Sequence, residues 1–200
     1  VDCCGKKNRE VAFYCLVLTV FSQPEKLENI EIYASNVVLG DIGPLYLFQN
    51  ILPKMKNLKS FQCTLENTQT TRIVLRAITE MNFSKISSLE RFRLNLSGAL
   101  LEEHDLAEFF QTIPNVKDLG LVFGETKLTD QALVYFSTKI LPSLNRVERL
   151  QVGFWKTKLT DLGVSKFLQN LPNVSSLSLG LNSLEISDAS IQDFLDKKLP

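Results

Sequence analysis

The chain has 200 residues, 44% of them hydrophobic and 22% charged. That is enough apolar material for the core of one domain and excludes a disordered chain. Lys and Arg total 22, and Asp and Glu also total 22. A zero formal charge lacks the basic excess of proteins that live on nucleic-acid phosphates, so no nucleic-acid partner is expected.

At the start of the chain, the basic residues Lys6, Lys7 and Arg9 precede an apolar run over 11–21. The run is too short for a membrane span, and no membrane partner is expected. The order resembles the start of a signal peptide, but Ser22, Gln23, Pro24 and Glu25 follow instead of a small-residue cleavage site. Val17 and Val20 precede Leu27 by the same intervals as Val164 and Phe167 precede Val174. Residues 8–22 are therefore predicted as the helix of an earlier repeat, with a strand as the alternative because the run is β-branched.

Leucine is in excess along the chain, and its spacing explains why. Anchor residues fall at Leu27, Leu58, Leu89, Val116, Val147 and Val174, in steps of 31, 31, 27, 31 and 27. Apolar residues recur three, five and seven places after each anchor, as in Leu89, Phe92, Leu94 and Leu96. That alternation predicts strands with one buried face at 30–33, 61–65, 92–96, 119–123, 150–154 and 177–181. Asp41, Asp130, Asp161 and Asp188 follow where a helix should begin, suited to accept from its unpaired first-turn N–H groups. Helical pairs come next, such as Leu133 with Phe136 and Val164 with Phe167, and most units close on Leu-Pro or Ile-Pro. In the second unit the helix start is missing, and Ile73, Leu75, Ile78 and Met81 mark a less regular stripe.

One such unit cannot bury its own apolar face, so the units are expected to stack. The expected architecture is α/β, with a parallel sheet on the inner wall and helices on the outer wall. Helices are wider than the strand spacing, so the stack should curve. Six repeats are assigned to 27–57, 58–88, 89–115, 116–146, 147–173 and 174–200, after a helical remnant over 1–26. The pattern is open at Val1 and at Pro200. A longer solenoid is therefore expected, with further repeats after Pro200 and a cap or partner before Val1.

Lys158, Leu159, Thr160, Asp161, Leu162 and Gly163, like Lys127, Leu128, Thr129, Asp130, Gln131 and Ala132, carry the motif of one family. With the flanking strand and Leu-Pro close, they resemble the ribonuclease-inhibitor-like class of leucine-rich repeats. The resemblance covers 27–200 and implies a curved right-handed solenoid that acts as a protein-binding scaffold. The chain departs from that class at the strand end. The usual Asn appears only as Asn182, so looser strand-to-helix turns are expected. The same motif is similar to the repeats of F-box leucine-rich proteins, which would imply a ubiquitin-ligase adaptor, although no F-box lies in these residues. Resemblance to the Ran GTPase-activating proteins would require a particular loop Arg that nothing here singles out.

Catalytic signatures are not evident. No Gly-rich phosphate loop or Gly-x-Ser-x-Gly turn occurs. The single His, His104, stands among Glu102, Glu103 and Asp105 at a predicted helix start and reads as a solvated cap rather than a base. No enzyme activity, cofactor or metal site is expected. Cys3, Cys4, Cys15 and Cys63 form no metal-binding spacing. They read as free thiols, with Cys63 a small core residue; the adjacent Cys3 and Cys4 leave a strained disulfide or a nearby metal as alternatives. The many Phe residues read as core.

The expected function is a non-enzymatic interaction scaffold that holds a protein partner on the concave sheet face. The cytoplasm is the expected location, with cytoskeletal or ciliary assemblies as alternatives. The candidate residues are Glu31, Tyr33, Gln62, Thr64, Arg93, Asn95, Val122 and Gln151, with Trp155 at the strand end. Gly120, Gly153 and Gly180 lie among them, and glycine inside a strand often marks a close approach. A plain solvated sheet whose composition drifts accounts for the same residues. This register carries a test. Leu150→Asp should unfold the chain at several kcal/mol cost, while Gln151→Asp should change stability by no more than about half a kcal/mol. Equal shifts in thermal unfolding would contradict it.

Overall fold

The structure, a computed structural model, describes residues 23–188, 191, 192, 195 and 196. The helix expected over 8–22 lies outside the described residues, as do Cys3, Cys4, Cys15 and the closing Pro200. The strands β1 (Asn29–Tyr33), β2 (Ser60–Thr64), β3 (Arg91–Asn95), β4 (Asp118–Val122), β5 (Arg149–Gly153) and β6 (Ser176–Gly180) form one sheet in that order. All five pairings are parallel, and they join Ile30, Phe61, Phe92, Leu119, Leu150 and Leu177 in one row. The offset between partners in that row reproduces, pair by pair, the step between the anchors of the same two units.

Parallel neighbours require a crossover, and each one here is helical. The helices are α1 (Ile42–Tyr46), α2 (Arg72–Met81), α3 (Glu103–Phe110), α4 (Asp130–Tyr135) and α5 (Asp161–Gln169). They explain the two step lengths. In the three longer units, the helix is followed by a 3-10 turn, at Leu52–Lys54, Phe83–Lys85 and Leu141–Ser143. Neither of the shorter units, which carry α3 and α5, has one between its helix and the next strand. In the first and fourth units a π-helical stretch, Leu47–Ile51 or Phe136–Ile140, lies in between. Pro53 and Pro142 therefore sit inside the 3-10 turns rather than directly ending an α-helix.

The core lies between the sheet and the helices. Leu58, Phe61, Cys63 and Leu65 are buried, as are the matching residues of the next three units. From the helices come Leu106 with Phe109, Leu133 with Phe136 and Val164 with Phe167. All ten Phe residues among the described ones are buried, and many of their rings touch, such as Phe61 stacked on Phe92 at 5.6 Å between centroids. The second unit differs from expectation. Its helix, α2, buries Val74, Leu75, Ala77 and Ile78 and leaves Ile73 52% exposed. Cys63 is a free thiol in this core, and burial pushes its pKa up to about 12.

The strand-to-helix turns are more regular than the missing Asn residues implied. Nine places after every anchor the backbone is left-handed: Asn36, Asn67, Gly98, Glu125, Lys156 and Ser183. One place later, Thr68, Thr126 and Thr157 each donate their hydroxyl to the carbonyl three residues back. The backbone ladder also continues past the strands: Leu65 N–H to Asn95 O at 2.8 Å and Phe123 N–H to Gly153 O at 2.8 Å are examples. Backbone groups and threonine hydroxyls thus satisfy turns for which an Asn side chain was expected.

The helix-start acids also act differently from the sequence expectation. Asp130 does not cap its own helix. Its Oδ1 accepts from the Thr160 N–H at 2.9 Å and its Oδ2 from the Thr160 hydroxyl at 2.5 Å, one unit away. Asp41 holds Thr71 in the same way, at 2.8 and 2.7 Å. Asp161 accepts from the Ser187 N–H, and Glu103 from the Thr129 hydroxyl. The threonine makes the actual cap: Thr71 and Thr160 accept from the N–H groups of Ile73 and Leu162. One hydroxyl therefore caps its own helix and ties it to the preceding one. The pattern lapses at the second unit, where Arg72 stands in place of the acid.

Gly163 in α5 gives a test of this tie. Ala is ordinarily about 0.5–1 kcal/mol better than Gly inside a helix. Here a Cβ would lie 2.2 Å from Asp130 Oδ1. Gly163→Ala is therefore expected to destabilise the chain by about 1 kcal/mol or more, and to cost clearly less in an Asp130→Ala background, where the carboxylate clash is gone and the contact with the backbone of residue 130 at 3.0 Å remains. Denaturant unfolding of the two single variants and the double variant measures both.

Candidate interaction face

Pleat alternation sends every second strand residue away from the helices. One row of that open face is Glu31, Gln62, Arg93, Gly120, Gln151 and Ser178; the next is Tyr33, Thr64, Asn95, Val122, Gly153 and Gly180. The candidate residues in the strands therefore share one face. Tyr33 is 63% exposed and donates its hydroxyl to Glu31 Oε2 at 3.2 Å. Gln62, Thr64, Arg93, Asn95 and Gln151 are half-buried. Val122 departs from the expected exposure and is buried.

The glycines explain what covers the face near Val122. A Cβ on Gly153 would lie 2.5 Å from Trp155 Cζ3 and 3.0 Å from Val122 Cγ1. A Cβ on Gly124 would lie 2.3 Å from Trp155 Cε2, and one on Gly180 3.3 Å from its Cε3. The indole of Trp155 thus lies across three strand ends on bare backbone, half-buried. Gly120 serves Arg93 in the same way, since a Cβ there would be 2.8 Å from Arg93 Cγ. The close approach that these glycines permit is made by the chain's own side chains.

A third row, Asn29, Ser60, Arg91, Asp118, Arg149 and Ser176, lies outside the candidate set read from the sequence. The Asp118 side chain is 2% exposed. Its Oδ2 accepts from Arg91 Nε at 3.1 Å, Arg93 Nη2 at 3.1 Å and Arg149 Nε at 3.2 Å; its Oδ1 accepts from Arg93 Nε at 3.0 Å. Burial alone pushes the carboxyl pKa up, but hydrogen bonds and charge from Arg93 and Arg149 outweigh it and hold it below the usual value. The unit alignment already sets Arg91, Asp118 and Arg149 side by side, two places after their anchors. Cross-strand charge pairing was the signal that could have found them.

Two grooves flank α3 on the helical side. One, of about 540 Å³, is lined by residues including Arg72, Arg76, His104 and Glu108; the other, of about 670 Å³, by residues including Glu103, Ala107, Gln131 and Tyr135. Three acids at the start of α3 are engaged. Glu102 pairs with Lys127 at 2.6 Å, which lowers its pKa; Glu103 accepts from Thr129, and Asp105 from the Glu102 N–H at 2.9 Å. His104 is exposed and lies 3.3 Å from Asp105 Oδ1. No group of three or more His, Cys, Asp and Glu residues placed to hold a metal ion occurs among the described residues.

No protein-family model matches this sequence, and no curated protein matches it.

Asp118→Ala leaves three guanidiniums around an empty position. These reach solvent, so the expected cost is about 2 kcal/mol, less than the 3–5 typical of a fully buried pair. The pH dependence has a definite sign. The folded carboxyl titrates below the unfolded value of about 3.9, so its contribution is present above that value and is lost as pH falls through the folded one. Acid unfolding should therefore be less steep below about pH 4 in Asp118→Asn than in the parent chain, as circular dichroism can measure.

Proposed function

We propose that this chain is a non-enzymatic scaffold that binds a protein partner on the open face of its sheet. In this proposal the units are leucine-rich repeats of the ribonuclease-inhibitor-like class, and the sheet lines the concave wall of a right-handed solenoid. Three regularities support the repeat assignment. Strand partners are separated by the anchor steps, the left-handed turn residue recurs nine places after each anchor, and acids tie successive helix starts.

The observation that carries the binding proposal is the open face itself. It presents three arginines fixed on a buried carboxylate, together with an indole laid over glycines. Such a surface holds polar and aromatic groups in place before any partner arrives. The cytoplasm is the proposed location; no described helix is long and apolar enough to cross a membrane.

A photo-crosslinking residue tests the choice of face. Placed at Gln151 or Gln62 on the sheet, it should capture a partner from cell extract. Placed at Glu80 or Gln131 on the helices, it should not. Capture from the helical positions alone would overturn the proposal.

A further inference from the structure

We infer that Arg91, Arg93 and Arg149 together form the seat for an acidic segment of the protein partner, whose carboxylates they hold. This rests on the open face being the binding surface and names the chemistry of what binds there.

The local charge is unbalanced. Three guanidiniums surround one carboxylate, a local balance of +2 in a chain whose formal charge is zero. Neutralising Asp118 requires one arginine. Arg91 and Arg149 each give it only their Nε, and no described residue accepts from their Nη groups. Their side chains are 41% and 47% exposed. A guanidinium carries five N–H donors, so most of the donors on these two remain for a ligand. The other acids nearby do not compete for them. Glu90 pairs with Lys117 at 3.4 Å, and neither arginine donates to the exposed Glu148 carboxylate, since each bonds Asp118. Glu31 lies two strands from Arg93 and accepts from Tyr33.

The cluster is also held ready. Asp118 is nearly inaccessible, and Gly120 lets the Arg93 stem lie flat, so the arginines are ordered in advance. Ordering long side chains is part of the cost of binding, and here the fold has already met it. Planar guanidiniums match carboxylates in two-point hydrogen bonding. The cluster spans three neighbouring strands, about 10 Å at the usual strand spacing, which suits two or three carboxylates of one extended segment. A nucleic acid would need a longer basic stripe, which a neutral chain with Glu31 on the same face does not supply.

The test uses the full 200-residue chain and a fluorescein-labelled hexaglutamate peptide, followed by anisotropy. Saturable binding is expected, weakening as salt rises. Arg91→Gln and Arg149→Gln should each weaken it about tenfold, since each loses on the order of 1.4 kcal/mol. Arg76→Gln, on α2, should leave it unchanged, and a hexalysine peptide should not bind. Thermal unfolding of each variant verifies that the fold persists. Equal affinity in the parent and both sheet-face variants would overturn the inference. So would no binding of hexaglutamate, or binding only of a phosphoserine peptide. Photo-crosslinking from Gln151 that survives in the Arg91→Gln, Arg149→Gln double variant would overturn the acidic segment and leave the scaffold proposal standing. Loss of open-face crosslinking in the parent chain would overturn both.

Discussion

The parallel register between successive strands is the constraint on which the other features depend. Each strand meets its neighbour at one of only two sequence intervals, so a residue type at one place in a unit faces its counterpart in the next. A slip of one residue would turn Leu119 and Leu121 to the open face and Asp118 into the core. The apolar set forbids this, because Phe61, Phe92, Leu119 and Leu150 are all buried on the helical side. With the register fixed, Arg91, Asp118 and Arg149 have to lie in one row.

The same interval appears at the helix starts, where neighbouring units complete one another. Thr160 caps its own helix, but its N–H and hydroxyl end on Asp130 of the unit before. A shorter unit gives up the 3-10 turn after its helix and leaves its strand unchanged, so variation in length is absorbed away from the sheet. The open face is thereby insulated from the two step lengths.

Most of the fold was legible because burial imposes a period. The anchors and their alternation placed six strands to within one residue, and the described phenylalanines were recognisable as core. What the sequence concealed were relations between units. Asp130 looks like the cap of the helix it begins, and only the three-dimensional offset shows that its oxygens reach Thr160. Gly120, Gly153 and Gly180 signal that something lies close; the sequence does not say that it is Arg93 and Trp155. The candidate strand residues share one side of the sheet, yet Val122 is buried and the arginine–carboxylate cluster begins two residues upstream. Asp118 escaped notice because a carboxylate at a strand start is ordinarily solvated, and its burial depends on three arginines from two neighbouring strands.

The titration of the Asp118 carboxyl, followed by carbon-detected nuclear magnetic resonance, is the most direct test. It reports at once on the register and on the arginines that organise the open face. A midpoint below the ordinary value of about 3.9 is predicted. That midpoint should move upward in Arg93→Gln and in Arg149→Gln, as each removes a hydrogen bond to the charged form. A midpoint at or above the ordinary value, unmoved by either substitution, would contradict the role given to these arginines.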